Sequence, residues 1–318
     1  MPNSPQQLAA TASSRGVREQ IEVLGSATRY WRYPANKGSD YFAETPTMIM
    51  IHGFRGNHRG LEAIAGALPD FELIIPDLPG FGASSPLTEA HTVAAYAAWL
   101  AEFIRLMNLE SKTHLLGHSF GSIVVSHAVA KGLPVKTLTL ENPVSAPALK
   151  GPKVIATRVA NGFYEATDRM SLAAGERALK SWPMVRGMSI LMAKTKNREL
   201  RAWIHRQHDE NFNDFVSRRT VLEAFKASTS ECVGQWVEQF EVPTLFIIGD
   251  KDDITSPKQQ REAFSRLRVP GRLVEHDGVG HLTHYEIPAD VAQDIRLFIA
   301  GLEAAQPSTT GKEHPLGS

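Results

Sequence analysis

Short apolar runs, each followed by a longer amphipathic stretch, recur along this 318-residue chain and restrict its fold more than any other feature. The runs lie at residues 27–33, 47–51, 72–75, 114–116, 135–140, 244–248 and 272–275. Several are apolar almost without interruption, as strands covered on both faces are. Helical patterns fall between them, at 61–68, 93–107, 120–130, 258–267 and 289–302. This alternation predicts an α/β protein, with a mostly parallel sheet and helices on both faces. The rhythm lapses once. Between 146 and 240 there is no strand pattern, and ELRAWIHRQHDENF (199–212) and RRTVLEAFKAS (218–228) are amphipathic at helical spacing. Such an insertion reads as a cap over the C-terminal edge of the sheet, where open α/β sheets bind ligands. The expected organisation is a loose tail at 1–18, a core from 19–145 and 241–303, a helical cap at 146–240 and a second loose tail at 304–318.

Composition removes several classes of function. Thirty-four basic and 34 acidic residues balance to a formal charge of zero, so no nucleic-acid or anionic-membrane partner is expected. No stretch reaches the roughly 18 apolar residues of a membrane span, and MPNSPQQLAATASSRGVREQ lacks a secretory apolar core. The expected location is the cytoplasm. A lone cysteine, Cys232, allows no intrachain disulfide, which suits a reducing compartment; it reads as a packing residue. There is no P-loop, and the Gly80–Gly82 pair is too weak a signal for a dinucleotide site. His205 and His208 share one helical face, but nothing nearby in sequence completes a metal shell. No metal or organic cofactor is expected.

The strongest local signal is Gly117-His118-Ser119-Phe120-Gly121, set between the apolar HLL and the helical SIVVSHAVA. A serine on such a strand-to-helix turn stands at the sheet edge, and flanking glycines admit the tight turn. The helix behind it offers unpaired N–H groups and a partial positive charge to a developing anion. With this motif the chain resembles the α/β-hydrolase superfamily, in its lidded esterase and C–C hydrolase branches, from about residue 23 to 302. The resemblance implies that Ser119 is a nucleophile. Ile49-Met50-Ile51-His52-Gly53-Phe54 is similar to the family's strand-then-His-Gly segment. It implies an oxyanion hole from the N–H groups of Phe54 and Phe120, with His52 organising the loop. The stretch Asp77 to Ser84 resembles the family's D-x-x-G-x-G-x-S turn and reads as structural.

The same resemblance supplies the base and the acid. Gly278-Val279-Gly280-His281, followed by Glu286-Ile287-Pro288, implies His281 as the proton carrier, with His284 and His276 as neighbours that compete for the role. The family pattern G-x-x-D-x-x-x-P, aligned on Gly249, selects Asp252 as the acid. The pattern here runs one residue longer before Pro257, which leaves Asp253 open, and Glu141 ends a strand where some members keep their acid. The order Ser119, Asp252, His281 is that of the fold. The implied reaction is cleavage of a small-molecule ester through an acyl-enzyme. Arg55 and Arg59 follow Phe54, and an arginine binds a carboxylate at two points. GFRG and GHSFG are also similar to segments of monoalkyl phthalate hydrolases, which implies a half-ester read by one of these arginines. A serine at the elbow argues against the dehalogenase and epoxide hydrolase relatives, which carry aspartate there. The resemblance leaves a C–C hydrolase open, although Ser122 stands where that branch usually has glycine. A cofactor-free peroxidase or lyase and a non-catalytic ligand-binding relative also remain open.

Overall fold

The computed structural model describes residues 3–36, 38–147 and 154–305, with 154–159 described by their backbone alone. Among these, strands β1 (Val17–Val23), β2 (Ser26–Tyr33), β3 (Thr47–Ile51), β4 (Glu72–Pro76), β5 (Thr113–His118), β6 (Thr137–Glu141), β7 (Thr244–Gly249) and β8 (Gly271–His276) form one sheet. Its order is β1-β2-β4-β3-β5-β6-β7-β8. β2 pairs antiparallel with both β1 and β4, and the pairs from β4 through β8 are parallel. The helices are α1 (Pro5–Arg15), α2 (Glu62–Ala67), α3 (Val93–Leu106), α4 (Phe120–Ala130), α5 (Val154–Arg169), α6 (Leu172–Leu179), α7 (Trp182–Met192), α8 (Arg198–Asn211), α9 (Arg218–Ser230), α10 (Pro257–Phe264), α11 (Thr283–Glu286) and α12 (Pro288–Ala305).

The period-two geometry of the strands divides the core between the two faces. In β3, Ile49 and Ile51 join the cluster that contains α3 and α4 residues such as Trp99 and Val124. Met48 and Met50 join the opposite cluster, with Ile64 of α2 and Ile295 of α12. All six residues of β5 are buried, so the strand that delivers Ser119 is clamped from both sides. At about 1.5–3 kcal/mol per fully buried large apolar side chain, this clamp holds the strand end against local opening.

The expected loose N-terminus is corrected. Residues 5–15 form α1, capped by a reciprocal bond pair: Ser4 Oγ accepts from Gln7 N–H, and Gln7 Oε1 accepts from Ser4 N–H. Pro5 at the first turn and the buried Leu8 and Ala12 complete it. α1 packs on α2, where Gly66 leaves room for the Leu8 carbonyl. β1 then adds an edge strand from residue 17. At the other end Ala304 and Ala305 close α12, and the rest of the expected C-terminal tail lies outside the described residues.

Helices α5–α9 occupy the interval between β6 and β7, as its sequence pattern predicts. They are fastened to the core at the turn after β4. Phe81 bridges Phe215, Gly82 N–H donates to Asp214 O (2.8 Å), and Val216 N–H donates to Gly80 O (3.0 Å). Among the described residues no helix is long and apolar enough to cross a membrane.

Candidate active site

Ser119 sits between β5 and α4 with φ 52° and ψ −116°, a left-handed backbone that a residue with a side chain adopts at a cost of about 1–3 kcal/mol. Two glycines make the turn possible. A Cβ on Gly117 would lie 2.6 Å from the Gly121 carbonyl oxygen, and one on Gly121 would lie 2.3 Å from the Ile51 carbonyl oxygen. The G-x-S-x-G spacing is therefore a packing requirement of the turn.

The strand ends bring the expected base and acid to this serine. His281 Nε2 lies 2.8 Å from Ser119 Oγ, and His281 Nδ1 lies 2.9 Å from Asp252 Oδ2. Besides His281, the donors to Asp252 among the described residues include four protein groups. Ile254 N–H (2.8 Å) and Thr255 N–H (3.0 Å) reach Oδ1; Asn142 Nδ2 (3.2 Å) and Gln260 Nε2 (3.4 Å) reach Oδ2. Donors converging on both oxygens hold it as an acceptor for an imidazole N–H. With Nδ1–H donated to Asp252, His281 Nε2 is left to accept the serine proton. Asp252 and His281 are each 2% exposed.

The competing residues are placed elsewhere. Asp253 pairs with Lys194. His276 pairs with Asp294 at 2.7 Å, and this bond raises its pKa. Glu141 and His284 face each other and His118. His205 and His208 share the Ser189 hydroxyl rather than converging on a cation position. Asp77 is structural: its carboxylate accepts from His58 N–H (2.7 Å) and Ala83 N–H (2.8 Å).

The loop after β3 passes against Ser119, with a Cβ position on Gly53 only 3.2 Å from Ser119 Cβ. His52 Nε2 accepts from Leu78 N–H (2.9 Å), so Nδ1 carries the proton and donates to Gly53 O (2.8 Å). Burial lowers the His52 pKa, in keeping with this neutral tautomer. Phe54, which follows Gly53, and Phe120, which opens α4, both line the cavity at Ser119.

The two arginines part company. Arg59 is exposed and outside the cavity lining. Arg55 lines the cavity and is 2% exposed, but its guanidinium is spent on the inserted segment. It donates to Leu179 O (2.8 Å), Phe212 O (3.0 Å), Asn213 Oδ1 (3.2 Å) and Tyr164 Oη (3.4 Å), and stands 5.2 Å over the Phe215 ring. The arginine expected to read a carboxylate is thus, in Arg55, bonded to the inserted segment, and Arg59 does not line the cavity.

The cavity measures about 570 Å³. Core residues His52, Phe54, Ser119 and Leu282 line one side of it, and Tyr164, Met188, Phe212 and Phe225 of the inserted segment line the other. Asn142, Gln260 and the Thr255 turn escaped the sequence reading. They support Asp252 from positions 110, 8 and 3 residues away and carry no motif of their own.

The model of the alpha/beta hydrolase fold family matches residues 46–288, and the chain belongs to that family. Lipase 3 of Moraxella sp. (strain TA144) is 27% identical over 258 residues, which cover 80% of this chain and 78% of that protein. Lipase 1 of Psychrobacter immobilis is 26% identical over 269 residues, covering 81% and 78%. Among solved structures, a thermophilic esterase from Thermogutta terrifontis superposes with a TM-score of 0.70 at 20% identity, over 90% of this chain and 99% of that one. This last likeness speaks to the fold alone.

Proposed function

We propose that the protein is a serine hydrolase that cleaves carboxylic esters of small, largely apolar molecules through an acyl-enzyme. The observation that carries this is the buried relay Ser119 Oγ–His281–Asp252, at 2.8 and 2.9 Å, opening into an aromatic- and methionine-lined cavity. The lipase relatives agree with it.

In this mechanism Ser119 Oγ attacks the ester carbonyl as its proton passes to His281 Nε2. The N–H groups of Phe54 and Phe120 receive the carbonyl oxygen as it becomes an anion; such donors are worth about 2.7–4 kcal/mol each where their removal has been measured. His281 then protonates the leaving alcohol. Water, deprotonated by the same nitrogen, attacks the acyl-serine and releases the acid. Asp252 keeps Nδ1–H in place and offsets the imidazolium charge at each step. Helices α5–α9 act as a lid that excludes bulk water and shapes the acyl and alcohol pockets. A neutral ester suits the cavity better than a half-ester, because the Arg55 guanidinium is already committed to four protein acceptors.

Hydrolysis of a short-chain p-nitrophenyl ester by wild type and by Ser119→Ala tests the reading, with both proteins verified as folded by circular dichroism. Turnover by wild type and its loss in the variant is the expected result. Full activity in Ser119→Ala would remove the proposed nucleophile.

A further inference from the structure

Behind the nucleophile, three buried polar atoms have no hydrogen-bond partner: His118 Nδ1, Glu141 Oε2 and His284 Nδ1. Their residues are 6%, 0% and 4% exposed. One ligand atom from each residue lies within 4.8 Å of the other two. His118 Nδ1 is 3.7 Å from Glu141 Oε2, and His284 Nδ1 is 3.4 Å from Glu141 Oε1. Buried polar atoms are almost always hydrogen-bonded, so three orphans in one place require an explanation.

The trio does not satisfy itself. Neither contact from His118 or His284 to Glu141 is a hydrogen bond, and both leave the ring Nδ1 unpartnered. The described side-chain donor to Glu141 is the Thr283 hydroxyl, 2.5 Å from Oε1 and equally close to Asn142 Oδ1. Its single proton serves one of the two at a time. A neutral imidazole with a free ring nitrogen is, however, the metal-binding form of histidine.

We propose that His118, Glu141 and His284 form a binding site for a divalent transition cation of the zinc class. At metal–ligand distances of about 2.0–2.1 Å, tetrahedral ligands stand about 3.3–3.5 Å apart. The histidine nitrogens lie 3.7 and 3.4 Å from the two different oxygens of Glu141, and one atom from each residue lies within 4.8 Å of the others, so a small closure of the trio onto an ion completes the shell. Two nitrogens and one carboxylate oxygen favour zinc over magnesium or calcium, which prefer oxygen shells. His118 and His284 both line the cavity, which gives the ion an entry route and a fourth ligand position for water. His118 precedes the nucleophile directly, and its ring lies 5.3 Å from that of His281. An ion here therefore opposes the positive charge that His281 must take up in turnover. The site is an inhibitory one, and this consequence alone rests on the proposed ester-hydrolase mechanism.

Equilibrium dialysis of EDTA-stripped protein against Zn²⁺, with bound metal measured by mass spectrometry, tests the site without reference to activity. One Zn²⁺ per chain, undisplaced by excess Mg²⁺, is expected. Glu141→Gln and His284→Asn should each weaken binding by at least about tenfold, and His281→Ala should retain it. Should one of the first two variants fail to fold, the other carries the comparison. Absence of stoichiometric Zn²⁺ on wild type overturns the proposal. So does binding that survives both ligand substitutions, or that disappears in His281→Ala, because the ion would then sit on the catalytic relay. In the active enzyme the same Zn²⁺ should lower turnover by at least about tenfold, reversibly with EDTA; bound zinc without inhibition would overturn the inhibitory role while leaving the site.

Discussion

Arg55 is where the loop after β3 and the inserted helices depend on each other, so Arg55→Met has a calculable effect. The substitution keeps an unbranched apolar stem over Phe215 but removes every donor. It leaves Leu179 O and Phe212 O without the bonds they accept at 2.8 and 3.0 Å, and an orphaned buried acceptor costs about 1–3 kcal/mol. The variant no longer has to bury a guanidinium, which returns part of that cost. A net loss of about 2–4 kcal/mol follows, borne by the attachment of α6–α9 and not by the sheet. At 1.4 kcal/mol per decade, local opening of this segment becomes about 30- to 1000-fold more frequent. Amide hydrogen exchange reads this directly. Protection should fall in residues 172–230 and stay unchanged in β3, β5 and β6. Turnover should fall with it, because Arg55 adjoins Phe54, while Arg55→Lys should recover part of both. Unchanged exchange in 172–230, or a loss spread evenly over the sheet, would refute the idea that Arg55 fastens the inserted helices.

Three further expectations follow from particular contacts. Asp252→Asn should lower kcat by about 1000-fold or more, because the relay loses the tautomer that it fixes, while Asp253→Asn, in a half-exposed pair with Lys194, should stay within about threefold; steady-state rates on one ester separate the two. Burial depresses His114 to about 4 and His208 and His284 to about 3, below the unfolded value near 6.5, so below that value the unfolded chain binds protons that the native one refuses. Stability is therefore complete above about pH 6.5 and falls as pH drops toward 3–4, by up to about 1.4 kcal/mol per pH unit for each histidine; urea curves at pH 7, 6 and 5 should show this, and His208→Gln should flatten the slope. Gly66→Ala places a Cβ 2.0 Å from the Leu8 carbonyl oxygen and should cost about 1–3 kcal/mol in thermal unfolding, a penalty that vanishes when residues 1–15 are deleted.

The parts of this molecule that were legible in the sequence are those whose chemistry is local. β3, β5 and β7 are buried on both faces and announce themselves as apolar runs, and Ser119 is announced by two glycines that no side chain could replace. The N-terminal elements escaped because their burial is thin. α1 hides Leu8 and Ala12 alone, and β1 is an edge strand with mostly polar faces, so neither rises above the composition of a tail. The bonds of Arg55 are hidden from the sequence for a different reason. Sequence places it directly after Phe54, but its partners lie 109–158 residues away, and a guanidinium reads the same whether it awaits a substrate carboxylate or holds main-chain carbonyls. In the sequence His284 stands as a rival to His281 for the base and Glu141 as a rival to Asp252 for the acid, while His118 is only the residue before the elbow serine. The sheet brings them together because β5 and β6 end side by side, pairing His118 with Glu141, while the loop after β8 delivers His284 one helical turn beyond His281. Four groups that titrate or bind metals thus crowd the same strand ends, and Asp252 secures one of them for the relay by its own hydrogen bonds. What remains is a buried carboxylate between two neutral imidazoles, a residue pattern that catalysis of this kind does not require and that a cation would complete.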